Sequence, residues 1–280
     1  MARIAVVTDT SADLSADMLA SYKIHIVPQI VVLDEERLLE LEDITREEVY
    51  RRLRAGEPLH LGHPTPDDFR VAFRKMAPEV EGVVVVSLST TFNPTLVSAE
   101  VACVTYKKVP GVTVNSRLVS AGLGFVVLAA AEAASQGASL KAVADAARAT
   151  IPRVHLGFVA GDMRFLQRAG MISPAAARVR GALGQVPWLG MRDGHLVVQG
   201  FGRSWQGALE RMLTAFQEKV GERPVDAVVV HGDTPERAAQ VQERVCARFR
   251  CERVHTTMLT PLVGQQAGPG TVGVALRVLE

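Results

Sequence analysis

The chain has 280 residues and a mass of 30.1 kDa, enough for one large domain or two smaller ones. Its 48% hydrophobic residues exclude a disordered chain, and 31 Lys and Arg residues against 30 Asp and Glu give none of the basic excess typical of nucleic-acid-binding proteins. The longest apolar run, residues 121–131, is too short to span a bilayer, and the three cysteines fit no disulfide framework or metal spacing, which predicts a cytoplasmic protein without integral membrane segments.

Residues 1–158 are predicted to form a parallel α/β domain, because short apolar runs alternate with helical patterns. Four consecutive valines at 83–86 are typical of a parallel strand that is buried on both faces. A capping box of Thr45 and Glu48 predicts a helix that ends at Ala55. Predicted strands cover 4–8, 24–33, 83–86 and 112–115, and predicted helices cover 15–22, 45–55, an alanine-rich stretch ending near 137, and 139–150.

Residues 159–280 are predicted to form a second α/β domain, with a mixed sheet. The pattern changes after Pro152, and runs at 186–191 and 195–201 flank Asp193-Gly194, a β-hairpin signal that the first half lacks. Further strands are predicted at 155–159, 225–231, 253–258 and 271–279, with helices after Ser204 and Thr234.

A capping residue followed by proline occurs four times, and each pair predicts a helix start. The four pairs are Thr65-Pro66, Asn93-Pro94, Ser173-Pro174 and Thr234-Pro235. In the second pair, Asn93 is expected to cap the helix with its carbonyl oxygen. Its NH₂ group would then be free to donate to a ligand.

Asp9 lies at the carboxyl end of the first predicted strand, where open α/β sheets bind their ligands. One hypothesis is a hydrolase or transferase that uses Asp9 as the nucleophile on a phosphorylated small molecule. The alternative is that Asp9 and Thr10 only form hydrogen bonds within the first loop. Against the enzyme, the second acidic residue of an Asp-x-Asp motif is missing, and no Walker loop is present.

Residues 87–95 contain the densest group of hydroxyl side chains, between a strand and a helix. They are suited either to hold a polar head group or to cap the helix, and both readings stay open. Residues 268–273 match G-x-G-x-x-G, but a strand and not a helix is predicted to follow, so a tight turn is favoured over a dinucleotide site. The dispersed histidines predict no metal site.

Seven short segments, in order, resemble motifs of the DegV family of bacterial fatty-acid-binding proteins. The resemblance covers nearly the whole chain. It comprises TDTSADL at 8–14, HPTPDDF at 63–69, LS at 88–89 with NPT at 93–95 and SA at 98–99, NS at 115–116, GDM at 161–163, GMIS at 170–173 and GPG at 268–270.

The resemblance implies two α/β domains with the acyl chain of a long-chain, palmitate-like fatty acid bound between them. It also implies that the protein is not an enzyme, needs no cofactor, and presents the carboxylate to a separate ATP-dependent fatty-acid kinase. Family motifs place the carboxylate near two loops of the first domain and the tail of the second. The residues implied in head-group binding are Leu61, Gly62, His63, Thr65, Asn93 and Gln266, and the residue implied in docking the kinase is Arg203.

This chain differs from the family pattern at several positions within these motifs. Leu61-Gly62 replaces a Thr-Ser pair, which removes two hydroxyl donors. Asn93 replaces the serine of S-G-T, Gln266 replaces a histidine, and Met171 replaces the arginine of G-R-I-S. The head group is therefore expected to depend on Asn93, Thr65, His63 and backbone N–H groups.

Overall fold

A computed structural model of the chain describes residues 3–279. The chain divides into two compact units, of which the first contains residues up to 45 and residues 58–152. The second unit contains residues 46–57 and the chain from residue 153 onward. The predicted domain boundary, after residue 158, lies within the strand Val154–Val159.

Residues 46–57 belong to the second unit, and Tyr50 on the helix Arg46–Ala55 (α2) makes one of their contacts with it. The Tyr50 side chain is fully buried, and its hydroxyl donates to the carbonyl of Leu259 at 3.1 Å. Gly232 and Gly264 lie against its ring so closely that a Cβ atom at either position would approach it within 3.0 Å. The helix itself begins and ends where the sequence predicted.

The first unit contains a parallel sheet, as predicted. Its strands are β1 (Ile4–Asp9), β2 (His25–Val27), β6 (Gly82–Ser87) and β7 (Gly111–Asn115). Their order across the sheet is β2-β1-β6-β7, and all three pairings are parallel. The valines at 83–86 are all buried, which confirms the prediction of a strand covered on both faces. The helices of this unit are α1 (Ala16–Ser21), α3 (Pro66–Arg74), α4 (Thr95–Thr105), α5 (Ser120–Ser135) and α6 (Leu140–Thr150).

The first unit also contains a small antiparallel sheet that the sequence did not predict. The apolar run 24–33 was predicted as one strand, but Pro28, which has no N–H to donate, separates β2 from β3 (Ile30–Leu33). Strand β3 pairs with β4 (Glu36–Leu39) and β5 (His60–Leu61). Asp34 and Glu35 connect β3 to β4 with φ angles of 46° and 70°, so a hairpin does occur in the first half. It was missed because Asp-Glu is not a usual sequence for such a turn.

The second unit is built on a mixed six-stranded sheet, as predicted. The strands are β8 (Val154–Val159), β9 (Val186–Arg192), β10 (His195–Gly202), β11 (Val225–His231), β12 (Cys251–Met258) and β13 (Val272–Val278), in the order β10-β9-β8-β13-β11-β12. Asp193 and Gly194 form the predicted hairpin turn, with φ angles of 51° and 83°. The helices are α2, α7 (Met163–Arg168), α8 (Pro174–Ala182), α9 (Trp205–Val220), α10 (Pro235–Arg248) and α11 (Pro261–Ala267).

Three of the four predicted helix starts lie at the proline of the capping pair, at Pro66, Pro174 and Pro235. Helix α4 begins one residue later than expected, at Thr95, and Pro94 occupies the N-cap position. The expectation that Asn93 is the N-cap is therefore wrong. Within residues 3–279, no helix is both long enough and apolar enough to cross a membrane.

Candidate functional site

Polar side chains are buried at the carboxyl ends of the parallel strands of the first unit. Asp9 ends β1 and Ser87 ends β6, and both are fully buried. Asp9 Oδ1 accepts hydrogen bonds from the Ser11 N–H at 3.0 Å, from Gln29 Nε2 at 2.9 Å and from the Ser11 hydroxyl. The other oxygen, Oδ2, accepts from the Ser87 hydroxyl at 3.1 Å. Both oxygens of the carboxyl group are thus engaged.

Burial raises the pKa of Asp9, and the hydrogen bonds from Ser11, Gln29 and Ser87 oppose part of that rise. The side chain also closes the 3-10 turn Thr10–Ala12 by accepting from the Ser11 N–H. This confirms the hydrogen-bonding role for Asp9. A nucleophile must reach its substrate, and the Asp9 carboxylate has no exposed surface in this structure.

Gln29 connects Asp9 to Asn93. The residue is only 3% exposed, and its Nε2 atom donates to Asp9 Oδ1 at 2.9 Å and to Thr95 Oγ1 at 3.1 Å. Its Oε1 atom accepts from Asn93 Nδ2 at 3.0 Å. Every hydrogen-bonding position on the NH₂ group, and the amide oxygen, is therefore occupied.

The half-buried Asn93 uses its carbonyl oxygen as the sequence suggested, although it is not the N-cap. Asn93 Oδ1 accepts from the Thr95 N–H at 3.1 Å and from Thr95 Oγ1 at 2.6 Å. Its Nδ2 atom donates one hydrogen to Gln29. Within the described residues 3–279, the second hydrogen of this NH₂ group has no protein acceptor, which leaves one donor for a ligand.

The segment 61–65 begins beside Ile30, the residue that follows Gln29. Strand β5 pairs with β3, and the Gly62 N–H donates to the Ile30 carbonyl at 2.9 Å. Thr65 forms a capping box with Asp68, whose N–H donates to Thr65 Oγ1 at 3.4 Å, and the Thr65 hydroxyl in turn donates to Asp68 Oδ2 at 2.8 Å. The structure thus brings Asn93 and Gly62 to the adjacent residues 29 and 30. The Gly62 N–H and the Thr65 hydroxyl, which the sequence predicted to be donors for the ligand, both donate to protein groups instead.

His63, which is exposed, follows Gly62 directly, and Leu61 is half-buried at the end of β5. In the second unit, Gln266 is half-buried on α11, and the exposed Arg203 directly precedes Ser204, the N-cap of α9. The roles assigned to these four residues stay predictions.

The glycine-rich segment 268–273 is a turn, as the sequence predicted. Gly268 and Gly270 have φ angles of 88° and 81°, and β13 follows. A Cβ atom at Gly161 would lie 2.0 Å from the Pro269 carbonyl oxygen, so the turn packs directly against backbone. Within residues 3–279, no group of three or more His, Cys, Asp or Glu side chains is arranged to hold a metal ion.

Sequence reasoning missed Gln29, although a signal was present. Gln29 is a single amide in the otherwise apolar run IVPQIVV at 26–32. A polar side chain buried within such a run needs hydrogen-bond partners, because burying it alone costs free energy. The sequence therefore indicated that Gln29 has polar partners, but it did not identify them.

Comparison with known proteins gives a match along the whole chain. The model of the DegV family, described as an uncharacterised protein family, matches residues 3–278. A DegV domain-containing protein of Mycobacterium tuberculosis is 32% identical over 281 residues, which cover 98% of this chain and 97% of the relative.

Solved structures show the same fold. A DegV family protein from Thermus thermophilus, described by its fatty acid binding, has 27% identity and a TM-score of 0.88, over 99% of this chain and 100% of that one. DegV of Bacillus subtilis, described as a fatty acid binding protein, has 23% identity and a TM-score of 0.88 over the full length of both chains. These likenesses confirm the predicted α/β fold, with a parallel sheet and a separate mixed sheet.

Proposed function

Because the chain belongs to the DegV family, we propose that it is a non-enzymatic carrier that binds a long-chain fatty acid. The observation that carries this proposal is the likeness to the Thermus thermophilus protein. The likeness extends over nearly the whole of both chains, and that protein's structure is described by its fatty acid binding. An acyl chain can supply the affinity. Burying about 15 methylenes at about 0.8 kcal/mol each gives roughly 12 kcal/mol before association costs. Micromolar binding needs only about 8 kcal/mol.

The carboxylate is proposed to bind at the edge of the first unit, with Asn93 as its principal side-chain donor. A carboxylate shielded from water needs donors, and Asn93 Nδ2 has a hydrogen that no protein group accepts within residues 3–279. The Gly62 N–H and the Thr65 hydroxyl already donate to Ile30 and Asp68, so each can contribute only by exchanging that bond. The other proposed contacts within this unit are with Leu61 and His63.

Native mass spectrometry and calorimetry with saturated fatty acids of 8–18 carbons test the carrier proposal. We expect one equivalent of palmitate or stearate to bind with micromolar or tighter affinity. Shortening the chain by two carbons should weaken binding by roughly tenfold or more, since each buried methylene contributes about 0.8 kcal/mol. Absence of co-purified lipid together with no binding of added palmitate or oleate would show that the protein is not a fatty-acid carrier.

The carrier is further proposed to act in the cytoplasm, where it presents the carboxylate to an ATP-dependent fatty-acid kinase that docks on Arg203. Arg203 is exposed directly after β10, and arginine suits the recognition of phosphate groups. Because Met171 stands where the family has a second arginine, Arg203 is expected to carry more of this interaction.

Replacing Arg203 with alanine should leave palmitate affinity within a few-fold of the parent value but slow acyl-phosphate formation in a reconstituted assay with a cognate kinase. Arg192→Ala is a suitable control, since Arg192 is an exposed arginine at the opposite end of the same hairpin. Equal phosphorylation rates for the two variants would rule out a docking role for Arg203.

A further inference from the structure

We propose that Gln29 is a positioning residue for the head group of the ligand. It holds the amide of Asn93 so that an N–H group, and not the amide oxygen, is available to the carboxylate. This inference rests on the proposed function, since Asn93 matters for a ligand only if the protein binds one. No motif at Gln29 suggested such a role, and the hydrogen bonds of the first unit carry it.

The side chains of Gln29, Thr95 and Asn93 form a closed ring of hydrogen bonds. Gln29 Nε2 donates to Thr95 Oγ1 at 3.1 Å, and Thr95 Oγ1 donates to Asn93 Oδ1 at 2.6 Å. Asn93 Nδ2 then donates back to Gln29 Oε1 at 3.0 Å. Each group donates to the next in one direction around the ring, so the orientation of each depends on the other two.

Two groups at the edges of the ring fix that direction. The Thr95 main-chain N–H, which can only donate, requires the oxygen of the Asn93 amide on its side. Asp9 Oδ1 also accepts from the Ser11 main-chain N–H, so Gln29 must present Nε2 to it. Turning over either amide would place two oxygens or two NH₂ groups against each other. Both ends therefore require the same orientation of Asn93.

Gln29 itself cannot turn towards a ligand. Its main-chain N–H donates to Thr10 Oγ1 at 2.9 Å, and its carbonyl accepts from the Glu40 N–H at 2.9 Å. Because Gln29 is only 3% exposed and its side chain is fully hydrogen-bonded, any effect of Gln29 on the carboxylate must pass through Asn93. That dependence separates positioning from contact and makes the two roles distinguishable by experiment.

A double-mutant cycle on palmitate binding tests the proposal. Gln29→Met removes both ends of the amide at nearly constant length, and we expect it to weaken palmitate binding about tenfold, in the range for losing one well-oriented hydrogen bond to a charged group. Asn93→Ala should have an effect at least as large. The double variant should bind no worse than Asn93→Ala, because Gln29 acts only through Asn93. Additive losses would overturn the positioning role.

The dependence of affinity on the length of the acyl chain distinguishes a positioning role for Gln29 from a general structural one. Gln29→Met should weaken the binding of 12-, 14- and 16-carbon acids by the same factor, because the acyl contacts are unchanged. Thr150→Val is the control for loss of a buried side-chain hydrogen bond elsewhere in the first unit, and it should leave all three affinities at parent values. A factor that changes with chain length in Gln29→Met would mean that the variant disturbs the acyl site, which would contradict the proposal.

Side-chain amide NMR of the unliganded protein keeps this test separate from that of the proposed function. In the parent, one Asn93 Nδ2 proton should exchange slowly, because it is bonded to Gln29, and in Gln29→Met that protection should be lost. If the parent bound no fatty acid, the carrier proposal would fail and the positioning role with it, even with the ring intact. If the parent bound palmitate but Asn93 exchange were identical in both proteins, only the role of Gln29 would be overturned.

Discussion

Replacing Asp9 with alanine should lower the free energy of unfolding by about 3–5 kcal/mol at neutral pH, because it strands four buried donors at once. These are the Ser11 N–H, the Ser11 hydroxyl, Gln29 Nε2 and the Ser87 hydroxyl. Each lies in a region without exposed surface, so water does not replace the lost acceptor without rearrangement. Urea denaturation of parent and variant measures the loss. A loss below about 1 kcal/mol would show that the site reorganises freely.

Asp9→Asn separates the charge of the group from its hydrogen bonds. The asparagine oxygen can accept the bonds made by Oδ1, and its NH₂ group can donate to the Ser87 hydroxyl. Since burial raises the pKa of Asp9, the folded protein holds this proton more tightly than the unfolded chain does. The resulting stabilisation is present below the ordinary pKa of 3.8 and is lost as pH rises through the folded value.

The parent should therefore lose stability relative to Asp9→Asn as pH rises from 3.8 through the raised folded pKa of Asp9. Thermal unfolding of the two proteins across this range checks the sign. A stability difference that stays constant, or that moves in favour of the parent as pH rises, would contradict a raised pKa at Asp9.

Local patterns predicted the main elements of the fold because their causes are local. The valines at 83–86 need no distant residue to identify a buried strand, and Thr65-Pro66 combines its cap with the first helical residue. Asp193-Gly194 supplies the positive φ angles of its turn within two residues. The features missed in the first half have weaker local signals: Pro28 divides a run that is apolar on both sides, and Asp34-Glu35 forms a turn without glycine.

The site was predicted less completely, because its geometry depends on partners that are distant in sequence. Asn93 was selected from a motif, but its bond to Gln29 joins residues 64 positions apart. The Thr65 hydroxyl was expected to donate to the ligand, yet it donates to the carboxylate of Asp68, its partner in the capping box. Tyr50 shows the same limit for the fold, since its partner Leu259 is 209 residues away. The residue types indicated that these side chains form hydrogen bonds, but only the tertiary structure determines which residues are their partners.

A second buried aspartate, Asp226 in the second unit, contributes a stabilisation that should change with pH in the opposite direction to that of Asp9. Asp226 on β11 lies in one row with Arg277 on β13 and Arg253 on β12. Arg277 Nη2 donates to its Oδ2 at 2.6 Å, and Arg253 Nη2 donates to the same atom at 2.8 Å. Burial alone would raise the pKa of Asp226, but the hydrogen bonds and charges of the two arginines outweigh it and lower the pKa. The stabilisation is therefore present above pH 3.8 and is lost as pH falls through the lowered folded value.

Asp226→Ala should lower the free energy of unfolding by about 3–5 kcal/mol at neutral pH, because it leaves the Arg277 guanidinium buried without its carboxylate. The Arg277 side chain is 7% exposed and that of Asp226 is 4% exposed, whereas Arg253 is 61% exposed. Arg253→Met is therefore the matched control, and we expect it to cost at most about 1 kcal/mol, as for an exposed ion pair. The double variant Asp226→Leu with Arg277→Met should recover most of the loss, since it removes both buried charges together. Denaturant titrations of the four proteins distinguish these cases. Equal losses of unfolding free energy for Asp226→Ala and Arg253→Met would show that the burial of Arg277 does not determine the loss. A double variant as unstable as Asp226→Ala would show the same.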